Sequence, residues 1–205
     1  MSWWKKVLGG SATPPASPPL DPTRQSVYGA QVPFYYGAGV AFADGGPDPI
    51  DGVAIFWNET GPHFHYVSSG LVPLCGAELS FRLLARPTDL GTEPGKFLGA
   101  IAYQAPKWPI SMLNMLARRV HRSQRRFAHG HWWEGPPGVL RPHTELHHLA
   151  FAHDPHLHRP GLPVLQAFGV TAAEVESMKS DERERRGDAT VDQLARARPL
   201  LVTAA

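Results

Sequence analysis

One cysteine, Cys75, is all that the 205 residues contain, so no disulfide can form within the chain and no oxidising compartment is implied. No run of eighteen apolar residues is present, which argues against a transmembrane helix. No secretory leader is expected either, because Lys5 and Lys6 are followed only by Val7 and Leu8 before Gly9-Gly10. The chain also lacks a large excess of charge. Twenty Lys and Arg against 18 Asp and Glu leave a net +2, where a dedicated nucleic-acid binder would be strongly basic on one face. A cytoplasmic protein that touches neither membrane nor nucleic acid is the expectation.

Recognisable chemistry is equally scarce. Ser68-Ser69-Gly70 lacks the G-x-S-x-G form of a nucleophile turn. Gly45-Gly46 is followed by Pro47 and Pro49, whose missing N–H groups spoil a phosphate nest. No H-E-x-x-H stretch or cysteine pair is found. The expectation is no catalysis and no cofactor.

What is abundant is proline and glycine, 21 and 20 residues, the mark of many turns and irregular joins. Ser11 to Pro22 is rich in Pro, Ala and Ser and reads as an extended linker. Residues 1–27 are therefore expected to be a flexible tail, with Trp3-Trp4-Lys5-Lys6 a frayed end rather than a membrane anchor. Residues 28–205 are expected to be one domain, 28–42 being an irregular lead-in.

Within that domain, Val53 to Trp57 and His63 to Ser68 read as strands joined by a five-residue turn, an antiparallel hairpin. Phe64 and Tyr66 share one face of the second strand, His65 and Val67 the other. Ala77 to Ala85 alternates Leu79, Phe81 and Leu83 with Glu78, Ser80 and Arg82, the pattern of a strand with one face buried. Pro109 opens a helix whose stripe is Ile110, Leu113, Leu116, Ala117 and Val120. Arginines 118, 119, 122, 125 and 126 crowd its C-terminal end, where the helix dipole favours cations. His129 to Pro142 reads as a loop, and Glu145 to Ala152 and Val164 to Val170 as strands. Thr171 and Glu174 form a capping box that starts a helix. A charge run follows at Asp181 to Arg186, then a short helix at Asp188 to Ala197 and a last strand at Leu200 to Thr203. The fold class expected is α+β: a mixed, mostly antiparallel sheet with packed helices.

Two constellations invite a functional reading. His129, His131, His147, His148, His153, His156 and His158 could gather around a metal, which would make the 129–158 region a metal-binding site or enzyme. Their spacing fits surface and packing histidines better, and no metal ligand set is assigned. The arginine cluster could meet an acidic partner or nucleic acid, although a solvated helix end explains it. Aromatic side chains dominate interface energetics, so Trp57, His65, Tyr66, Trp132 and Trp133 are the expected protein contacts.

The order of short motifs supports a resemblance. Gly45-Gly46-Pro47-Asp48-Pro49-Ile50-Asp51, Phe64-His65-Tyr66-Val67-Ser68 with Gly70-Leu71, and Ala77 to Leu83 resemble segments of the suppressor of fused (SUFU) domain. Pro106 to Pro109 with Leu116-Ala117-Arg118, Asp154-Pro155, Val164 to Val170 and Pro199 to Thr203 continue the similarity, from about 44 to 203. The resemblance implies a compact α/β domain that acts by binding other proteins. Animal members restrain a transcription factor by clasping a peptide between two domains, while compact bacterial members are associated with toxin systems as immunity proteins. Only the first of those two domains is recognisable, and the chain resembles the bacterial kind. Val72-Pro73-Leu74-Cys75-Gly76 departs from the acidic Leu-Tyr-Gly stretch of the family, which weakens an acidic peptide-holding site there. Lys179 to Asp188 departs from the family's Trp-Asn-Gly stretch. The expected function is a non-catalytic protein-binding module, in its finer form an immunity protein that masks a toxin.

Overall fold

In a computed structural model of the chain, residues 22–59, 61–85, 105–135, 140, 146–180 and 188–204 are described. Most of the expected tail and the charge run at 181–186 lie outside them. Seven strands form one sheet: β1 (Phe34–Gly37), β2 (Gly52–Asn58), β3 (His63–Ser69), β4 (Glu78–Leu84), β5 (Trp132–Trp133), β6 (His148–His153) and β7 (Val164–Val170). Their order is β1-β2-β3-β4-β7-β6-β5, and every pairing is antiparallel except β4 with β7. The helices are α1 (Pro22–Tyr28), α2 (Val72–Cys75), α3 (Trp108–Ser123), α4 (Ala172–Ser180) and α5 (Asp188–Ala197). This is the mixed, mostly antiparallel α+β domain that the patterning implies.

The β2–β3 hairpin forms as expected, with Ile55 opposite Tyr66 and Trp57 opposite Phe64. Its alternation sorts the sheet into two faces. Val53, Ile55, Trp57, Phe64, Tyr66, Leu79, Phe81 and Leu83 pack on one face under α3, which buries Ile110, Met112, Leu113, Leu116 and Ala117 against them. Pro109 sits in the first turn of α3, where its lack of an N–H is harmless. The opposite face is covered in two halves. Val27 and Tyr28, at the end of α1, lie against Ala54, Phe56 and Val67, with Leu157 and Val164. Over Ala150, Ala152, Phe168 and Val170 lie Val175, Met178 and Val191 of α4 and α5. The capping box at the start of α4 is present: the Thr171 N–H donates to Glu174 Oε2 at 2.8 Å, and the Glu174 N–H to Thr171 Oγ1 at 3.3 Å.

Several local expectations need correction. The polar face of β4 is not solvated, because Glu78, Ser80 and Arg82 are as buried as the leucines between them. Helices on both sides of the sheet leave no wet face in its middle. Residues 22–27, expected in the tail, belong to α1, and Arg24 donates from Nη2 to the Ser68 carbonyl at 3.0 Å. The irregular lead-in contains β1, and the loop at 129–142 contains β5. Leu200 to Thr203 makes a 3-10 turn (Pro199–Leu201) and one bridge, Thr203 to Leu83, rather than a strand. The turn before β2 is tight for a steric reason. Gly45 has φ of 90°, and a Cβ on Gly46 would lie 2.2 Å from the Val40 carbonyl oxygen.

Candidate functional site

Of the five expected contacts, three are interior. His65 and Tyr66 have no exposed surface, and Trp57 retains 7%. Trp57 packs on Phe64 with ring centroids 5.2 Å apart, and Tyr66 donates its hydroxyl to the Pro106 carbonyl at 2.7 Å. The expectation that these three meet a partner is therefore corrected: helices on both faces cover the aromatic hairpin that a lone sheet would expose. Trp132 and Trp133 are half-buried on β5, an edge of the sheet. Arg119 lies 5.7 Å over the Trp133 ring, and Trp132 packs against the core under α4 and α5.

His65 belongs to a buried polar network. Its Nδ1 meets the Tyr28 hydroxyl, and its Nε2 is 3.1 Å from Asp154 Oδ2. Asp154 also accepts from Ser80 Oγ at 2.7 Å, Arg82 Nη2 at 3.3 Å, and the N–H groups of His156 and Leu157, both at 2.9 Å. Arg82 donates to Gln166 Oε1, and Gln166 Nε2 donates to the Leu200 carbonyl at 2.8 Å. A second cluster stands beside it: Glu78 accepts from Ser68 Oγ at 2.5 Å and from the Leu71 and Val72 N–H groups at 2.9 and 3.2 Å.

Burial, with the Arg82 guanidinium adding to it, pushes the His65 imidazole down to about 3, so it is neutral at ordinary pH. Burial alone would raise the Asp154 carboxyl. His65, Arg82 and the Ser80 hydroxyl together outweigh it and hold Asp154 below the usual carboxylate range. Burial raises the Tyr28 hydroxyl. The pattern fits a neutral imidazole that accepts from Tyr28 and donates toward a charged Asp154. Tyr, His and Asp in line could relay a proton, but among the described residues His65 and Asp154 are buried, with 0% and 1% of their surface exposed. The network therefore acts as a clamp, joining α1, β3, β4, β7 and the turn after β6.

The histidine-rich region forms a small stack. His129 and His153 have ring centroids 4.9 Å apart, and His153 lies 3.8 Å over His158. The Nδ1 of His129 accepts the His153 N–H at 3.2 Å, and that of His158 accepts the Val164 N–H at 3.3 Å. Among the described residues no group of three or more His, Cys, Asp or Glu side chains is placed to hold a metal ion.

The accessible features lie at the sheet's edges. β1 has a strand neighbour on one side only among the described strands. Beside it Val32, Tyr36 and Val40 are 71%, 47% and 51% exposed. Beyond β1, Gln31 stands in for a strand partner by bonding both backbone groups of Trp57, at 3.2 and 3.0 Å. At the other end of β1 a groove of about 220 Å³ opens between Tyr36, Val40, Pro47 and the start of α3. Asn114 lines it with a side-chain oxygen that has no hydrogen-bond partner in the described structure. Asp48 lines it as well and is tied to Arg118 at 2.8 Å. Sequence reasoning missed this edge because Gly37, Gly39 and Pro33 hide the strand. Its one signal was the apolar and aromatic run Val32 to Tyr36.

Comparisons with known proteins agree with the fold. The family model described as Suppressor of fused protein (SUFU) matches residues 46–204. The Suppressor of fused homologs of Homo sapiens and Mus musculus are each 30% identical over 138 residues, covering 62% of this chain. The matched part is 27% of their length, so this chain corresponds to a fraction of those proteins. Among solved structures, the Sufu-Fu complex is similar with a TM-score of 0.72 at 22% identity, over 89% of this chain and 86% of that one. Drosophila Suppressor of Fused gives 0.72 at 23%, over 89% and 48%. A SUFU homolog from Neisseria gonorrhoeae gives 0.60 at 12%, over 85% and 86%. At these identities the structures speak to the fold alone.

Proposed function

This chain belongs to the suppressor of fused family, and on that premise we propose that it is a non-catalytic protein-binding module whose contact surface is the β1 edge. The observation that carries the reading is the coincidence at one edge of an unpaired strand side, exposed Val32, Tyr36 and Val40, and the groove with the unpartnered Asn114 oxygen. An extended partner segment can add to such an edge, main-chain hydrogen bonds supplying affinity and side-chain pockets supplying choice. Tyr36 is the aromatic anchor, and Asn114 accepts a donor from the partner. That the Sufu-Fu structure is a complex of a similar fold supports a protein partner for this chain too.

The finer reading is an immunity protein that masks a toxin by covering its working surface. Its support is the resemblance to compact bacterial members. A cytoplasmic location goes with that reading, and no helix among the described residues is long and apolar enough to cross a membrane.

The test is affinity capture with mass spectrometry using the whole chain and a Tyr36→Lys variant. Tyr36 is half exposed, so the variant folds. The expected result is a stoichiometric partner that the variant loses, with binding weakened by about tenfold or more. Absence of any specific partner would remove the binding reading, and equal capture by both proteins would move the surface away from β1. Growth of cells that produce the captured partner, with and without this chain, then decides the toxin-masking role.

A further inference from the structure

We infer that the C-terminal end of α3 is a second contact surface, built to receive an acidic protein segment. The inference rests on the protein-binding reading and adds the chemistry of the partner. Five of the chain's 20 cationic residues lie at 118, 119, 122, 125 and 126, leaving 15 against 18 acidic residues elsewhere. The local +5 exceeds the whole chain's +2, so the rest of the protein is net negative and this end of α3 is its positive pole. From Lys107 to Trp133 the sequence contains no Asp or Glu at all.

Placement makes that charge available. Arg119, Arg122, Arg125 and Arg126 are exposed, and among the described residues none has a carboxylate in ion-pair range. Only Arg118 is paired, with Asp48. Helix α3 stops at Ser123 because Gln124 takes a left-handed conformation at φ of 55°, and its N–H closes on the Val120 carbonyl at 2.8 Å. That stop ends the helix before Arg125 and Arg126, and the Arg126 guanidinium lies beside Gly76 at the end of α2. Arg119 lies over the Trp133 ring, a cation–π contact that holds its guanidinium beside the others.

Guanidinium groups bind carboxylates through paired, directional hydrogen bonds. A nucleic acid fits less well. The remaining surface would repel a long polyanion, and the Trp133 ring is already covered on one face by Arg119, which removes it as a stacking platform for bases. An acidic peptide needs only the local pole.

The experiment measures fluorescence anisotropy of a labelled poly-Glu peptide with the full chain, at low and at physiological salt. Three comparisons run beside it: an Arg122→Glu/Arg125→Glu variant, a charge-matched control Lys107→Glu/Arg196→Glu, and single-stranded DNA of matched charge. The inference expects salt-sensitive peptide binding that weakens about tenfold or more in the first variant and little in the control. Equal loss in the control would mean that net charge alone attracts the peptide, and it would overturn the site. Tighter binding of the DNA, or no binding of the peptide, would overturn it as well. Tyr36→Lys should leave peptide binding unchanged, so failure at this surface and failure at the β1 edge are read separately.

Discussion

Replacing His65 with glutamine should flatten the acid dependence of stability, and the size of the effect follows from the buried network. In the unfolded chain the imidazole titrates near 6.5, while in the folded protein burial and Arg82 bring it to about 3. Between those values the unfolded state binds a proton that the folded state does not, so stability falls as pH falls. The stabilisation is complete above the unfolded value and is drawn down through the whole window to the folded one. Each pH unit inside the window is worth about 1.4 kcal/mol, so two units cost roughly 3 kcal/mol. That is a large part of the ~5–15 kcal/mol stability of an ordinary domain. Asp154 acts in a different window. Its folded value is depressed, so its contribution is present above the unfolded carboxylate value and is lost only below about pH 4. His63, His153 and His156 are also shifted down, burial being the main cause. They act in the same direction, and the difference between wild type and His65→Gln isolates the buried imidazole. Urea unfolding at about pH 6.5 and about pH 4.5 measures it. The wild type should lose about 2 kcal/mol more than the variant over that interval, because the unfolded imidazole is already half protonated at its start. Equal losses would refute the placement of a neutral His65 between Tyr28 and Asp154.

Asp154→Asn removes the charge that Arg82 faces with no solvent access, and breaking one partner of such a pair costs about 3–5 kcal/mol. Denaturant titration checks this, and a loss below about 1 kcal/mol would mean that water reaches Arg82. Gly46→Ala would drive a methyl group against the Val40 carbonyl oxygen, a backbone atom that cannot swing away. It should cost about 1–3 kcal/mol and disturb the groove beside β1, readable as a lowered melting temperature together with weaker partner capture.

What could be read from residue order was what depends on near neighbours. The β2–β3 hairpin was legible because two β-branched and aromatic runs are separated by one short turn, and α3 because its apolar residues recur at helical spacing. The capping box at Thr171 was legible because both of its bonds lie within four residues. The buried face of β4 was not. Glu78, Ser80 and Arg82 have the alternation of a solvated face, and what makes them interior lies far along the chain. Arg82 meets Asp154 and Gln166 72 and 84 residues later. β5 escaped for a similar reason: two residues carry no periodicity, and they form a strand only because β6 lies beside them. The motifs that carry the family resemblance fall partly in this hidden class. His65, Arg82, Asp154 and Gln166 come from four separate segments and meet in one network.

That two-sided burial also decides where a partner can bind. If one face of the sheet were open, the aromatic hairpin would be the natural contact, and Trp57, His65 and Tyr66 would be its anchors. With α3 on one face and α1, α4 and α5 on the other, those side chains complete the core and are unavailable without unfolding around them. Recognition is left to what helices cannot cover, namely the ends of the sheet and the ends of helices. β1 offers the first, with exposed hydrophobic side chains at an edge that has one strand neighbour among the described residues. The C-terminal end of α3 offers the second, with guanidiniums that no carboxylate of the described residues neutralises. The β1 groove reaches Asp48, and Asp48 holds Arg118 at the start of the basic surface. On the two proposals made above, one partner segment would span both: an extended apolar stretch against β1 and an acidic continuation over α3. In that case Tyr36→Lys and Arg122→Glu/Arg125→Glu would each weaken capture of the same partner, and the combined variant would show how far the Asp48–Arg118 pair couples the two sites.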